Sequence, residues 1–388
     1  MLIDGSGDLD NFGGAYGDSP DYTFDRAETH IRVDYTVADP FGFDGQSRLT
    51  FTSSENDRHY SNDNPDYPPL VESSYNGRLD TLTWHSVLEL GRGTLAFGLE
   101  HTRETGESDY ESDGYVDQFE RRHVGTDSLY VTGFTDWLGC QWNAGLRMDD
   151  HDTFGNKTTG SIGIVKLFPD AGLRLRFHGG TAFKAPSLYQ LYSPYGSVAL
   201  TPEESRTMEI GLEKSLMEDR LLVSLTWFDS RYDDMIDFDP DTWTYINVAE
   251  AAIRGSEIAF QYRQHDTGWR LAYNFYHTED RLTGEPLLRR PRATLTGAFH
   301  TRWNRLGCHL ALTYNTSRED FDYSAWPASR VELDPFILLD VAFNYRVREN
   351  MEIVFRGQNI TDETYELVKG YGTPGSTWYA GIRLTMQR

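Results

Sequence analysis

The feature that most constrains this chain is an alternation of apolar and polar residues that recurs in segments of roughly ten residues along nearly its whole length. Leu221, Val223, Leu225 and Trp227 alternate with Leu222, Ser224, Thr226 and Phe228. Cys308, Leu310, Leu312 and Tyr314 alternate with His309, Ala311, Thr313 and Asn315. The same holds for Leu173, Leu175 and Phe177 against Arg174, Arg176 and His178, and for Trp378, Ala380, Ile382, Leu384 and Met386 against Tyr379, Gly381, Arg383 and Thr385. Side chains of a strand point alternately to its two faces, so each segment has one apolar and one polar face. An arginine turned into a packed core is costly, so the polar face meets water. The aromatic residue at one end of many stripes fits a membrane-spanning strand with interfacial girdles.

Connection lengths support the same reading. Short turns at 91–93, 136–139, 169–172, 265–268, 304–307 and 348–350 alternate with long loops at 54–75, 104–120, 185–204, 229–243, 278–289 and 317–334. Outer-membrane barrels separate short periplasmic turns from long extracellular loops in this way. The predicted fold is therefore all-β: a transmembrane, antiparallel, up-and-down β-barrel.

Composition fits that fold. Mean hydropathy is −0.57 and 38% of residues are hydrophobic, too little for spanning helices. A barrel needs apolar residues at only half of its strand positions. The 23 tyrosines and 9 tryptophans suit interfacial belts and loop surfaces. The net charge of −24 excludes a nucleic-acid partner, whose phosphates need a basic surface. Cys140 and Cys308 continue apolar stripes on strands far apart in sequence and are expected to stay unpaired.

Three stretches carry a family resemblance. Residues 181–192 with 200–213, then Tyr245 through Glu257, then Gly357 through Met386, occur in the order and spacing of signatures in TonB-dependent outer-membrane receptors. The chain resembles that family, and Tyr189–Tyr192 with Pro194–Gly196 are most similar to its vitamin B12 receptor-like branch, a pattern that catecholate-siderophore and haem receptors largely share. Local physics explains part of the motifs. Pro186 ends a strand, Gly255 and Gly381 leave room for neighbouring side chains, Asn359, Thr361 and Asp362 suit side-chain-closed turns, and Pro374-Gly375 turns the chain back.

The resemblance implies a receptor in the outer membrane of a Gram-negative bacterium, working as a monomer. It implies TonB-dependent uptake of a scarce nutrient as a metal chelate: cobalamin, a ferric siderophore or haem. No cofactor is implied. It also implies a signal peptide, a plug domain that contacts TonB, and a barrel of about 22 strands. The pattern here gives about 17 strands, the first near 25–37. Residues 1–24 then read as an extracellular-loop remnant and 25–388 as a partial barrel, with neither plug nor signal peptide in the reading. An odd number leaves the first and last strands parallel, so closure is expected to fail. On this reading residues 1–388 alone do not carry out TonB-driven transport.

Ligand contact is assigned to the loop aromatics Tyr192, Tyr195, Tyr232, Trp243, Tyr323, Trp326 and Tyr371, since exposed aromatics supply contact area at low entropy cost. The acidic runs Asp149–Asp152 and Asp233, Asp234, Asp237, Asp239 and Asp241 read as solvated loops, and they lack the EF-hand spacing. The sequence carries no Gly-x-Ser-x-Gly elbow, Cys-x-x-Cys, P-loop or His-Glu-x-x-His motif, and the chain is expected not to be an enzyme. Two alternatives stay open: a passive porin with a constriction loop, and a barrel-type hydrolase drawing on His101, His123 and His151 near the outer rim.

Overall fold

A computed structural model describes residues 1–8, 21–38, 42, 44–66, 69–239, 242–324 and 327–385. One 18-stranded antiparallel sheet makes up nearly all of it. Its first half comprises β1 (Leu2–Asp8), β2 (Thr23–Ala38), β3 (Gly45–Asn62), β4 (Val71–Leu90), β5 (Gly93–Ser112), β6 (Tyr115–Trp137), β7 (Cys140–His151), β8 (Gly155–Phe168) and β9 (Leu173–Lys184). A five-residue helix, α1 (Leu188–Tyr192), follows. Next come β10 (Glu203–Leu216), β11 (Leu221–Asp239), β12 (Thr244–Gln264), β13 (Thr267–Asp280), β14 (Ala293–Trp303) and β15 (Leu306–Asn315). A separate hairpin of β16 (Arg318–Asp322) and β17 (Ser329–Leu333) precedes β18 (Phe336–Arg348), β19 (Met351–Gln358) and β20 (Thr377–Leu384).

Each strand of the large sheet pairs with its sequence neighbour, except that β15 pairs with β18 across the hairpin. That is the up-and-down order expected from the alternation. The seventeen expected strands are present, and β1 is an eighteenth, running antiparallel to β2 where a loop remnant was expected. Its Asp-Gly-Ser-Gly-Asp composition has no apolar stripe to mark it. With β1 counted, the first and last strands are antiparallel, which corrects the parity argument. Among the described residues no ladder joins β1 to β20, so the sheet stays open.

The two faces of the sheet are chemically distinct. Leu212, Leu225, Ile258 and Tyr273 lie opposite one another across β10 to β13. Phe343, Phe355 and Ala380 do the same across β18 to β20. Leu175, Leu225, Leu310, Ile353 and Leu384 are all exposed on this face, as hydrocarbon contact requires. The other face carries paired charges. Arg174 and Arg176 reach Glu213 at 3.4 and 3.9 Å. Glu352 lies 3.8 Å from Arg346 and 3.3 Å from Arg383. Arg176 lies opposite Gly211 and crosses it to donate to Thr226 Oγ1 at 2.6 Å. A Cβ on Gly211 would sit 2.1 Å from Arg176 Nε, so the bond depends on the missing side chain. Gly255 likewise accommodates the ring of Phe228, 2.6 Å from a built Cβ, whereas Gly381 faces open space and has no such role.

The periplasmic turns are tight, as at Leu138-Gly139, where φ is +53° and +66°, a type I′ pair. Several expected outer loops are in fact continued strands. β5 and β6 run on to a two-residue turn at Asp113-Gly114, with φ of +48° and +80°, instead of opening a loop over 104–120. β3 and β4 extend to Asn62 and from Val71, and β11 and β12 to Asp239 and from Thr244. A spanning strand needs ~9–11 residues, so the 20 residues of β5 carry it far above the bilayer. Beyond the lipid both faces are wetted or packed on loops, and the period-two apolar signal disappears.

Three outer loops are braced together. Asp320 of β16 is fully buried and accepts hydrogen bonds from Arg289 Nε (2.9 Å), its neighbour Phe321 N (2.9 Å) and Lys369 N (2.8 Å). Arg318 lies over the Phe336 ring at 5.0 Å and donates to the Glu366 carbonyl. Asn359 closes the start of the last loop, accepting from Glu363 N at 2.9 Å and donating to Glu363 O at 2.8 Å.

Two outcomes follow. Leu225→Arg places a charge at mid-height on the lipid face and should cost about 2–4 kcal/mol, seen as loss of folded, heat-modifiable protein from outer-membrane fractions. Ser224→Arg, one residue away on the polar face beside Glu213, should assemble normally. Asp320→Ala strips the partner from Arg289 and should speed protease cleavage between residues 316 and 335, while Lys184→Ala, an exposed pair on another strand, should not.

Candidate functional site

The site is built on the inner face of the upper β4–β6 wall. Pro186 follows the end of β9, and Ser187 caps the short helix α1: its hydroxyl accepts from Gln190 N at 3.2 Å while Gln190 Oε1 accepts from Ser187 N at 2.9 Å. Leu188 packs on Phe119 and Val124 of β6. A Cβ on Gly106 of β5 would come 3.1 Å from Leu188, so this glycine lets the helix lie close to the strand. The β9–β10 connection thus crosses the polar face that carries Arg147 and Asp149, which identifies that face as the lumen side.

Around α1 the aromatic residues form one continuous group. Tyr189 meets Phe119 edge-on at 6.2 Å and Tyr245 at 6.3 Å. Tyr245 meets Phe238 at 5.5 Å, and Phe238 meets Tyr195 at 5.9 Å and Trp243 at 6.0 Å. These edge-on geometries are the favoured ones for aromatic pairs. Tyr245 N donates to Tyr195 O at 2.9 Å, and the Tyr115 and Tyr195 hydroxyls are hydrogen-bonded. Tyr75 and Tyr110, from β4 and β5, complete a cavity of about 410 Å³ whose only charged lining residue, among the described residues, is Asp117. Asp117 is 5% exposed. Its Oδ2 accepts from the Tyr189 hydroxyl at 2.9 Å, and its Oδ1 receives no hydrogen bond from any described residue. Burial, then the hydrogen bond and charge of Asp117, hold the Tyr189 phenol well above the ordinary tyrosine range. Burial and Asp117 push Tyr245 up as well. The phenols are therefore neutral donors and acceptors at physiological pH.

Of the aromatics named from sequence, Tyr195 and Trp243 belong to this group. Tyr192 lies beside it, under the Arg122 guanidinium at 5.9 Å and against the Phe119–Val124–Leu188 cluster. Tyr232 sits in the β11–β12 ladder opposite Ala251. Tyr323 packs on Phe321 at 6.1 Å and Tyr371 lies in the β19–β20 loop, both apart from the cavity. Trp326 lies outside the described residues, as do Asp241 and Met386. Sequence reasoning missed Tyr75, Tyr110, Tyr115, Tyr189 and Asp117. The available signal was Asp113-Gly114, a strong hairpin dipeptide: it places Ser108, Tyr110 and Ser112 on one face of β5 opposite Phe119, Asp117 and Tyr115 of β6.

The histidines do not converge. His101 pairs with Asp127 at 2.8 Å on the face that carries Leu99 and Leu129. His151 lies on the opposite face, stacked on Phe154 at 4.1 Å. In the acidic runs, Asp149 pairs with Arg147 at 2.8 Å and Asp233 with Arg206 at 3.0 Å, while Asp152 accepts from Gly125 N at 2.6 Å. Among the described residues no three His, Cys, Asp or Glu side chains gather as metal ligands. Cys140 and Cys308 are free.

The raised Tyr189 phenol has a definite sign. Its neutral form is favoured in the fold, so its contribution to stability is present below about pH 10, the unfolded tyrosine value, and is lost as pH rises through the folded value. Phenolate absorbance should show a late-titrating class that Tyr189→Phe diminishes by one phenol; an unchanged titration curve would contradict the Asp117 contact.

Known proteins share this architecture. The vitamin B12 transporter BtuB of Vibrio cholerae serotype O1 is 27% identical over 285 residues, covering 71% of this chain and 45% of the transporter. The chain thus spans about half the length of the curated relatives it matches. The siderophore receptor PirA of Acinetobacter baumannii superposes with a TM-score of 0.75 at 18% identity, over 94% of this chain and 62% of that one. The copper transporter OprC gives a TM-score of 0.76 at 15% identity, over 94% and 65%. At these identities the structures speak for the fold alone. The family model for the TonB dependent receptor-like β-barrel matches residues 3–360, and the chain belongs to that family of Gram-negative outer-membrane proteins.

Proposed function

We propose that this chain supplies the wall and outer loops of a receptor that takes up a scarce nutrient as a bulky metal chelate, cobalamin or a ferric siderophore or haem, in a TonB-dependent manner. The observation that carries the reading is the tyrosine-lined cavity on the lumen side of the outer rim, together with family membership. Rings held edge to edge present a broad, stiff contact surface at little entropic cost, which suits a large and rather rigid ligand. The relative at 27% identity supports the class of cargo: it is named for vitamin B12.

A division of labour accompanies this reading. The wall and loops receive the ligand. The resemblance assigns energy coupling to a plug and its TonB-contact segment, which the wall does not replace. Tyr192, Tyr195 and Trp243 are proposed to contact the ligand, as are Tyr232, Tyr323, Trp326 and Tyr371 at more distant points of the rim.

The test uses cells that have TonB but lack their own cobalamin and siderophore receptors. The whole receptor should support accumulation of one labelled chelate, and loss of TonB should abolish it. Tyr195→Ala with Trp243→Ala should weaken surface binding about tenfold or more, as expected for an aromatic hot spot. Residues 1–388 alone, behind a signal peptide, should bind without TonB-dependent accumulation. Binding unaffected by the double substitution would remove the cavity from the proposal.

A further inference from the structure

Asp117 stands out within the cavity. A buried polar atom normally has a partner, and a buried carboxylate oxygen without one is destabilising unless something else meets it. Oδ1 of Asp117 is such an atom. Asp117 is fixed in the β5–β6 ladder opposite Tyr110, two residues from the Phe119–Leu188 packing that anchors α1 on the same face. Its second oxygen is held by Tyr189, so the carboxylate cannot rotate freely away from the cavity.

The charge around it is one-sided. Among the described residues no lysine or arginine lines the cavity. Arg122 is occupied over the Tyr192 ring. A second carboxylate, Asp237, acts electrostatically on Tyr245. A ligand that brings negative charge here meets uncompensated like charge. A ligand edge of neutral donors, or a cation, meets a fixed charge of favourable sign. Phenols that remain neutral can satisfy the ligand's other polar edges in either sense.

We propose that Asp117 is the specificity-determining residue of this cavity, selecting chelates whose periphery carries neutral or cationic donors, such as the carboxamide-fringed corrinoids, and rejecting polyanionic chelates such as ferric tris-catecholates. The inference rests on the receptor reading above and narrows it to one ligand class. Asp117 acts through its charge in the cavity wall, and the Tyr189 hydroxyl orients the carboxylate.

The test measures surface binding of labelled cyanocobalamin and of a labelled ferric tris-catecholate to cells expressing the whole receptor, each as a Kd. The wild-type receptor should prefer the corrinoid by at least tenfold. Asp117→Asn keeps the shape, removes the charge and turns one acceptor into a donor; it should weaken corrinoid binding about tenfold and strengthen catecholate binding. Tyr189→Phe, which keeps the ring and frees the carboxylate, should weaken corrinoid binding only a few-fold. Surface labelling and heat-modifiability report folding of each variant. If Asp117→Asn fails to fold, Tyr110→Lys, which places a cation directly opposite Asp117, should shift preference toward the catecholate by the same logic. Wild-type receptor that binds the catecholate as well as or better than the corrinoid overturns the proposal. So does an Asp117→Asn receptor that folds and keeps the wild-type preference. If neither chelate, nor haem, binds the wild-type receptor, the receptor reading itself fails, and this inference with it.

Discussion

Hydrocarbon offers no hydrogen bonds, so every backbone N–H and C=O that enters it must be paired within the protein. This chain meets that demand with a continuous antiparallel ladder from β1 through β20, neighbour to neighbour, interrupted only where the β16–β17 hairpin stands aside. Everything else follows from the ladder. It forces side chains to alternate, so one face must be apolar and the other is free to hold charge. The inner face then uses that freedom: Arg174, Arg176 and Glu213, or Arg346, Glu352 and Arg383, pair across strands where water remains close. Such half-exposed pairs contribute little stability individually. Their value is that they keep long cationic side chains on the wet side of the wall.

Above the bilayer the same ladder serves a different end. β4, β5 and β6 continue as a stiff wall, and their inner face becomes a platform on which α1 and the aromatic loops rest. A flexible loop of equal length would lose much more conformational entropy on ordering a binding surface. The buried Asp320 supplies comparable order on the other side of the rim, because it satisfies one side chain and two backbone groups from separate segments at once. The outer rim therefore combines strand extensions and one polar brace, with few of the unsupported long loops that the pattern suggested.

The tyrosine cavity shows how the wall and loops cooperate. No single segment could make it: Tyr75, Tyr110 and Tyr115 come from three successive strands, and Tyr189 and Tyr195 from the β9–β10 connection. Neutral phenols around a lone buried carboxylate give the site a definite electrostatic preference, even though the protein as a whole carries a net charge of −24. That global charge acts over the screened distances of solution; Asp117 acts at contact.

The sequence by itself determined the strands that cross the membrane. Leu225 beside Ser224 and Arg174 beside Leu175 report the two faces directly, because lipid on one side and water on the other impose a period of two. The sequence also determined the family, through motifs whose local roles at Pro186, Gly255, Asn359 and Asp362 recur in the structure. Only the tertiary structure decided what lies above the bilayer. There the lipid no longer writes an apolar stripe, so β1 and the extensions of β3 to β6 carry no periodic mark apart from turn residues such as Asp113-Gly114. Which aromatics meet was equally out of reach. Tyr195 and Trp243 join Tyr189 and Tyr245, while Tyr323 and Tyr371 lie elsewhere, because the crossing of α1 over Gly106 brings together residues that are up to 170 positions apart in the chain, Tyr75 and Tyr245 among them. Convergence of that kind depends on packing at long range, and no spacing rule along the chain encodes it.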